Sequence, residues 1–333
     1  MKKIKVAIII LNWNRALDTI ECLKSIKRNT KYPDYDLICV DNGSKISDFN
    51  KLQAFCRDNS IILYRSENNL GFSEGNNLGI NKVLQTGAYH YLVTLNNDTT
   101  VNNLWLKRLV DVMENNRKLG SAQSLLLFSE NKNIINNAGI AIQLDGSAYN
   151  RRIYQNNSTY DDEEIFGACA AAALYRTKAL EQVGLFDKSF FCYMEDVDLA
   201  WRLRLAGWES LLVANSVVYH THSASSKGNE DFKHYLIVRN TIYTLIKNYP
   251  LYFLILWPIN RFITILNAFL NRKVALKATK ESGFVINQIK YNIFHLILFP
   301  YYVIKLWKKR RKIQLARVVQ NTQINYWLKR FAH

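Results

Sequence analysis

The first 130 residues alternate short apolar runs with segments of helical periodicity, and this alternation constrains the fold more than any other feature. The predicted strands are residues 6–11, 35–41, 61–64 and 89–95. Residues 17–28 carry apolar side chains at helical spacing, and residues 51–57 show a weaker helical pattern. Because strands that alternate with helices build parallel sheets, the sequence predicts an α/β domain with a mainly parallel central sheet.

Polar residues follow three of the four predicted strands. They are Asn12 and Asn14 after the first, Asp41 at the end of the second, and Asn96, Asn97 and Asp98 after the fourth. In open parallel sheets, ligands bind beyond the carboxyl ends of the strands. We therefore expect these three groups to meet in one cleft.

The segment 130–232 continues the same domain with two further helices. Residues 177–183 form the first. Residues 195–205 form the second, with Asp198 and Arg202 as an i,i+4 pair and Gly207 as its stop. A phenylalanine-rich segment precedes the acidic start of this second helix, and apolar surroundings raise the pKa of a carboxyl group.

The net charge of +17 is confined to the C-terminal segment. Residues 233–333 hold 18 Lys and Arg against the single acid Glu281, whereas residues 1–232 hold equal numbers of acids and bases. This asymmetry predicts two regions with different roles, 1–232 and 233–333. The five cysteines show no metal-ligand spacing, and no signal peptide is evident, so reduced thiols and a cytoplasmic location are expected.

The basic C-terminal region carries two apolar stretches, 251–259 and 293–304, each too short to span a bilayer. Aromatic rings suited to the headgroup region and a run of five basic residues lie beside them; these are Trp257, Tyr301, Tyr302, Trp307 and residues 308–312. The composition predicts amphipathic helices lying on an anionic membrane surface. The alternative is that these helices bury against each other or a second subunit. Nucleic acid is not expected as a partner, because the bases are interleaved with long apolar runs.

Several motifs in residues 5–245 carry a resemblance to a known family. They are residues 40–44 (VDNGS), 69–79 (NLGFSEGNNLG), 95–98 (LNND), 184–187 (GLFD) and 193–199 (YMEDVDL), followed by His220 with Ser223 and Ser225. In order and spacing the chain resembles the family 2 inverting glycosyltransferases with the GT-A fold, in particular the rhamnosyltransferase-like branch. This resemblance implies a Rossmann-like nucleotide-binding domain followed here by the basic helical region.

The resemblance implies a site for a nucleotide-diphosphate sugar. Its donor-binding residues are Asn12, Asn14, Asp41, Gly71, Asn77, Asn96 and Asn97, with Asp41 on the nucleobase. Asp98 is the implied ligand of Mg²⁺ or Mn²⁺, and His220, rather than His222, is the second. The chain departs from the family where Asn76 replaces an arginine and Asn96 replaces the first aspartate of the metal motif.

The acidic helix start is implied to perform the chemistry. Asp196 is the general base, and Glu195 orients the acceptor. Arg239 and Asn240, in a helix-like stretch after the serine-rich loop, are expected to contact an acceptor phosphate; the alternative is an exposed or paired Arg239. Structural alternatives stay open. Asp41 would form a turn, Asp98 or Thr99 would be a helix N-cap, and the acids at residues 195–198 would only be placed where the helix dipole favours negative charge.

The implied function is inverting transfer of a sugar in bacterial surface polysaccharide synthesis. Rhamnose carried on dTDP is the first expectation, with UDP-linked hexoses behind it, and the acceptor is a glycan or polyprenyl-linked glycan at the inner face of the cell membrane. Two alternatives are a nucleotidyltransferase-like enzyme and a basic protein that binds membrane or nucleic acid. The sequence leaves the oligomeric state open.

Overall fold

The computed structural model describes residues 4–157, 161–221, 230–275 and 282–332. His222, Ser223 and Ser225 lie outside the described residues. All other predicted site residues are described.

The first half of the chain follows the predicted alternation closely. Its elements are β1 (Val6–Asn12), α1 (Ala16–Asn29), β2 (Tyr35–Asn42), α2 (Ile46–Asp58), β3 (Ile62–Ser66), α3 (Gly71–Thr86), β4 (Tyr91–Asn96), β5 (Thr99–Val101), α4 (Trp105–Asn115) and β6 (Leu119–Phe128). The four predicted strands are confirmed within two residues at each end. The N-cap alternative for Asp98 or Thr99 is wrong, because Thr99 begins a strand and the next helix starts only at Trp105.

Among the described residues, six further strands and two α-helices follow up to residue 220. They are β7 (Ile135–Asn137), β8 (Ile140–Ile142), β9 (Ala148–Asn150), β10 (Glu163–Ile165), β11 (Ala172–Arg176), α5 (Thr177–Val183), α6 (Glu195–Leu205) and β12 (Glu209–His220). Both predicted helices have the expected bounds, and Gly207 follows α6 with a φ of +87°. The part of the chain that the structure describes continues with five helices: α7 (Glu230–Asn248), α8 (Leu251–Ala275), α9 (Ser282–Ile297), α10 (Phe299–Ala316) and α11 (Asn321–Arg330).

The central sheet has the strand order β10-β12-β6-β11-β4-β1-β2-β3. Strands β4, β1, β2 and β3 run parallel, as do β6 and β12, and β11 is inserted antiparallel between β4 and β6. The prediction of a mostly parallel central sheet in an α/β fold is confirmed. The chain leaves β1 toward β2 on one side and returns to place β4 on the other, so the strand order reverses at β1.

Both faces of the sheet are covered, which explains why β1 is a continuous apolar run buried along its length. On one face, β1 packs with residues of α1 and α4 such as Leu23, Ile26 and Trp105. On the other, it packs with residues of α3 and α6 such as Ile80 and Leu199. The helices thus form two layers around the sheet.

The glycine-rich segment is helical rather than a loop. Helix α3 begins at Gly71, so residues 71–79, Asn77 among them, lie on a helix. A Cβ at Gly75 would stand 2.7 Å from Leu11, and one at Gly79 would stand 3.0 Å from Val40. These two glycines therefore allow α3 to pack closely on β1 and β2.

The C-terminal helices pack on the sheet-bearing part of the chain, up to residue 220, and share an apolar cluster with it. Trp201 of α6 and Phe166 belong to the same cluster as Trp257, Tyr302 and Trp327. Within the described residues, no helix combines the length and apolarity needed to cross a membrane. The division at residue 232 stays a prediction.

The prediction that four aromatic rings lie in the lipid headgroup region is wrong for two of them, Trp257 and Tyr302. The ring of Trp257 stacks on Phe299 at 5.1 Å, and its Nε1 donates to the Asp145 carbonyl. Tyr302 is buried, and its hydroxyl lies 2.8 Å from His295 Nδ1. Both rings serve the packing between helices and the domain, whereas Tyr301 and Trp307 are exposed.

Candidate functional site

Asn12 joins the strand ends at the point where the strand order reverses. It is fully buried, and its Nδ2 lies 2.9 Å from Asp41 Oδ2 and 3.1 Å from Ser44 Oγ. Its Oδ1 accepts a hydrogen bond from Thr19 Oγ1, which in turn accepts one from Asn97 Nδ2. The ends of β1, β2 and β4 are thus connected side chain to side chain, as the sequence predicts.

Asp41 is enclosed in this network. Its side chain has no exposed surface, and it accepts hydrogen bonds from Asn12 and from the Ser44 amide. The Arg65 guanidinium lies 3.6 Å away and over the Phe49 ring. The Ser44 bond confirms the turn alternative. For the predicted contact between Asp41 and a nucleobase, the side chains that enclose Asp41 would have to move.

Asn14 supports the same turn from the other side. It has a φ of +55°, its amide donates to Ser44 Oγ, and its Oδ1 accepts from the Lys45 amide. The structure therefore places Asn14 beside Asp41, with its polar groups holding the loop after β2.

Asp98 and His220 come together beyond the end of β4. Strands β5 and β12 pair so that His220 opposes Thr99, which places His220 Nε2 3.2 Å from Asp98 Oδ1. Nε2 also lies 3.3 Å from Asn96 Nδ2, while Nδ1 lies 3.0 Å from Asn136 Oδ1. Because a carbonyl oxygen only accepts, Nδ1 carries a proton, and the Nε2 lone pair is available toward Asp98 when the ring is neutral.

This pair has the chemistry of a cation site. Asp98 Oδ1 is buried and receives no hydrogen bond, and two lone pairs at 3.2 Å repel each other. Either a proton on Nε2 or a cation between the two atoms satisfies the contact. An imidazole whose second nitrogen is held by an amide oxygen is the usual arrangement for a metal-binding histidine. Among the described residues no cluster of three or more His, Cys, Asp or Glu side chains could hold a metal.

The glycine-rich segment and the segment before α6 touch at Gly71. Its φ is +76°, and a Cβ there would lie 2.4 Å from the Phe191 carbonyl oxygen. The Ser73 amide donates to that same oxygen, and Asn77 Nδ2 donates to the Phe186 carbonyl at 2.7 Å. Gly71 and Asn77 therefore contact the segment that precedes α6.

Residues 190–194 form a strained loop directly before the acidic helix start. Phe191, Tyr193 and Met194 have φ values of +65°, +68° and +69°, which disfavour residues with side chains. Asn240 of α7 holds this loop, since its buried Nδ2 lies within 3.0 Å of the carbonyls of residues 190, 192 and 193. The Arg239 guanidinium donates to the carbonyls of residues 189 and 190.

Glu195 and Asp196 begin α6 behind this loop. Asp196 Oδ2 accepts from the Ala170 amide at 3.2 Å, and Oδ1 accepts from the Val197 amide at 2.8 Å. The Ala171 carbonyl accepts from the Asn96 amide, so two adjacent residues connect Asp196 to the end of β4. The predicted donor-side and acceptor-side residues are thus joined through one short segment.

The pKa values of Glu195 and Asp196, the first two residues of α6, are both raised. Burial raises the pKa of Asp196 above its usual range. Burial and the neighbouring charge of Asp196 raise the pKa of Glu195 well above its ordinary value. Glu195 is buried, and its Oε2 receives no hydrogen bond. A carboxyl group with a raised pKa and a free acceptor oxygen is suited to take or orient a hydroxyl proton.

Asp198, by contrast, is structural. It is fully buried between Arg202 Nε at 2.9 Å and Lys247 Nζ at 2.6 Å, which confirms the predicted i,i+4 pair. Burial would raise the pKa of Asp198, but the two cations outweigh it and lower the pKa. Lys247 also pairs with Asp187 at 2.7 Å. Sequence reasoning missed Lys247, although a lysine inside the apolar end of α7 is a signal of burial.

A comparison with protein families identifies the family of this chain. The family model for glycosyl transferase family 2 matches residues 7–184, more than half of the chain. The chain belongs to glycosyl transferase family 2. The match contains the strand ends and Asp98 and stops before the acidic start of α6.

Relatives of this family 2 protein were found among characterised proteins. An N-acetylglucosaminyl-diphospho-decaprenol L-rhamnosyltransferase of Mycobacterium tuberculosis is 46% identical over 70 residues, which are 21% of this chain and 22% of that enzyme. The low-salt glycan biosynthesis hexosyltransferase Agl10 of Haloferax volcanii is 23% identical over 60% of this chain and 61% of its own length. The chain thus spans about a fifth of the first relative and three fifths of the second.

Solved structures show the same fold. GalNAc-T7 with UDP, GalNAc and Mn²⁺ aligns with a TM-score of 0.63 at 14% identity, over 87% of this chain and 55% of its own. The mannosyltransferase PcManGT from Pyrobaculum calidifontis, in complex with GDP-Man and Mn²⁺, aligns with a TM-score of 0.56 at 13% identity, over 96% and 87%. Both neighbours are GT-A glycosyltransferases. The family 2 protein therefore has the GT-A fold.

Proposed function

We propose that this glycosyltransferase transfers a sugar with inversion from a nucleotide diphosphate, using Asp196 as general base. The observation that carries the proposal is the position of Asp196. Its carboxylate has a raised pKa, is held by two backbone amides, and is connected through Ala170 and Ala171 to the strand end that bears Asp98.

The residues then have separate roles in a single displacement. The acceptor hydroxyl gives its proton to Asp196 as its oxygen attacks the anomeric carbon from the face opposite the nucleotide. The bond from that carbon to the diphosphate breaks, and the diphosphate leaves with the electron pair. Glu195 orients the acceptor through its free Oε2, and Arg239 acts by holding the carbonyls of the loop before Glu195.

Asp98 and His220 would hold a divalent cation, Mg²⁺ or Mn²⁺. The cation supplies neutralising charge for the diphosphate when it is bound. One carboxylate and one imidazole are a small ligand set, so we expect the cation to bind together with the nucleotide. Asn12 and Asn97 fix the strand ends that surround the donor, and Asp41 binds the nucleobase.

The Asp196→Asn variant tests the base. We expect kcat to fall by about 10²–10⁴-fold, while nucleotide affinity changes little because asparagine keeps the size of the side chain and one of its two hydrogen bonds from backbone amides. Asp111→Asn, which removes an exposed acid on α4, is the matched control and should transfer at the wild-type rate. Wild-type turnover by Asp196→Asn, or retained anomeric configuration in the product, would refute the assignment.

The Asp98→Ala variant tests the cation site. We expect Mn²⁺ to strengthen nucleoside diphosphate binding by the wild-type protein and to have no such effect on the variant, as measured by calorimetry. Asp41→Ala is the matched control, since loss of the nucleobase contact should weaken binding equally with and without Mn²⁺. An undiminished Mn²⁺ effect in Asp98→Ala would exclude this site.

Rhamnose carried on dTDP is the donor we propose first, before UDP-linked hexoses. The short, 46% identical match to a rhamnosyltransferase supports it, and the name of that relative supports a polyprenyl-linked acceptor. A thermal-shift screen of nucleotide sugars with Mn²⁺ tests the donor. Stabilisation by UDP-hexoses without any effect of dTDP-rhamnose would replace the first choice.

An acceptor of this kind would be reached at the inner face of the membrane by an enzyme lying on that surface. The exposed apolar side chains of α8 and the basic residues of α10 support this placement.

A further inference from the structure

A cavity of about 530 Å³ lies where the start of α8, the second half of α10 and the start of α11 meet. Its walls include Leu251, Trp307, Arg310, Arg311 and Arg317. None of the residues assigned to sugar transfer lines it.

The charge of this cavity is uncompensated. Arg310 is 6% exposed, and its Nη1 donates to the carbonyls of Ile246 and Tyr249 at 2.7 and 2.8 Å. Arg317 donates to the neutral side-chain oxygens of Gln314 and Asn321. In the part of the chain that the structure describes, none of the three arginines forms an ion pair, and no acid lines the cavity. Burial and the charge of Arg317 lower the pKa of Arg310.

A second cavity, of about 480 Å³, shows the contrast. It lies between α6 and α10, and two of its lysines, Lys247 and Lys309, both pair with Asp187 at 2.6–2.7 Å. Its cations are therefore partly neutralised within the protein. Of these two cavities, the arginine cavity has no ion pair among its described residues and so offers the less compensated positive charge to a ligand. The guanidinium group binds phosphate oxygens in pairs, so a phosphate is the anion that fits best.

The arginine cavity opens beside an exposed apolar face. On α8, exposed apolar side chains recur at helical spacing: Leu251, Tyr252, Ile255, Leu256, Ile259, Phe262, Ile263 and Leu266. On α10, Ile304 and Trp307 are 77% and 46% exposed. Leu251 and Trp307 belong both to this face and to the cavity wall. A ligand held here would have its anion among arginines and apolar surface directly next to it.

We propose that the arginine cavity binds the phosphate of an anionic membrane phospholipid, whose acyl chains lie against the exposed face of α8. The site rests on the membrane placement proposed above and is independent of the transfer chemistry. Charge complementarity selects an anion, and the adjoining apolar face selects an amphiphile over a soluble phosphate. Trp307 at the border of the two zones matches the headgroup depth that amphipathic rings prefer.

The test uses the full-length protein and vesicles of phosphatidylglycerol with phosphatidylcholine, or of phosphatidylcholine alone. The cavity variant is Arg311→Gln with Arg317→Gln, which spares the buried Arg310. The matched control is Lys308→Gln with Lys329→Gln. It removes the same number of charges, from exposed positions in α10 and α11 that lie outside the cavity. Flotation measures binding, and circular dichroism and thermal unfolding verify the fold.

We expect the cavity variant to bind phosphatidylglycerol vesicles more weakly than wild type, by roughly fivefold for each arginine, and the control to lose distinctly less. Equal losses in the two variants would overturn the cavity site and leave only diffuse attraction. Saturable binding of inorganic phosphate without vesicle binding would overturn the lipid source. Transfer to a water-soluble acceptor should stay at the wild-type rate in both variants, so a failure of the lipid site and a failure of the proposed reaction are distinguishable.

Discussion

The contact between Gly71 and Phe191 can be tested by adding one methyl group. At Gly71 (φ +76°) a Cβ would lie 2.4 Å from the Phe191 carbonyl oxygen and 2.5 Å from its ring. Since ordinary contact begins near 3.4 Å, the loop must shift by about 1 Å to accept the methyl group. That loop leads directly into Glu195 and Asp196.

Gly87 is the matched control. Its φ is +62°, and nothing lies within 4 Å of an added Cβ. Gly87→Ala should cost about 1 kcal/mol for the left-handed backbone alone. Gly71→Ala should cost about 2–4 kcal/mol, because overpacking adds about 1–3 kcal/mol to the same backbone penalty.

Urea unfolding of both variants measures the two free energies, and initial rates of transfer measure the catalytic effect. A displacement of about 1 Å at a positioned group can cost about 10²-fold in rate, so kcat should fall by about that factor in Gly71→Ala and remain at the wild-type value in Gly87→Ala. Equal losses of stability with unchanged kcat in Gly71→Ala would refute the reasoning.

Two further predictions concern the same loop and helix. Asn240→Leu removes the donor shared by three loop carbonyls, so kcat should fall while the KM for the donor sugar stays close to wild type; a loss confined to KM would contradict this positioning role. Glu195→Gln should stabilise the fold above pH 5. The pKa of Glu195 is raised in the folded state, so its ionised form opposes folding once the pH exceeds the unfolded value of about 4.3, and the benefit should vanish below that pH. Urea unfolding at pH 4 and pH 8 checks this, and an equal gain at both would disprove the electrostatic cause.

The fold of the sheet-bearing part of the chain, up to residue 220, could be predicted because its sequence signals are local. Each parallel strand is an apolar run, and each run ends in the polar residues that stand at the sheet edge. The i,i+4 pair of Asp198 and Arg202 follows from helix periodicity alone. Local signals do not show that the glycine-rich segment is helical, because its glycines serve a tertiary contact, the close packing of α3 on the sheet.

The C-terminal helices were less accessible to sequence reasoning. Amphipathic composition identifies rings such as Trp257 and Tyr302 as able to reach a polar boundary, but it does not say whether that boundary is lipid or protein. In the structure, the partners of both rings are the Asp145 carbonyl and His295. Asp145 is remote in sequence from its partner Trp257, and His295 lies on the helix before the one that carries Tyr302. Only the folded chain therefore assigns these contacts.

The amino-acid sequence by itself determined the strand-helix alternation, the polar strand ends and the charge asymmetry, because periodicity and composition act over a few neighbouring residues. The tertiary structure alone decided that α7 holds the loop before Glu195 through Asn240, and that Lys247 is buried between Asp187 and Asp198. Such contacts join residues about fifty positions apart, and their free energy exists only after the chain has closed that distance.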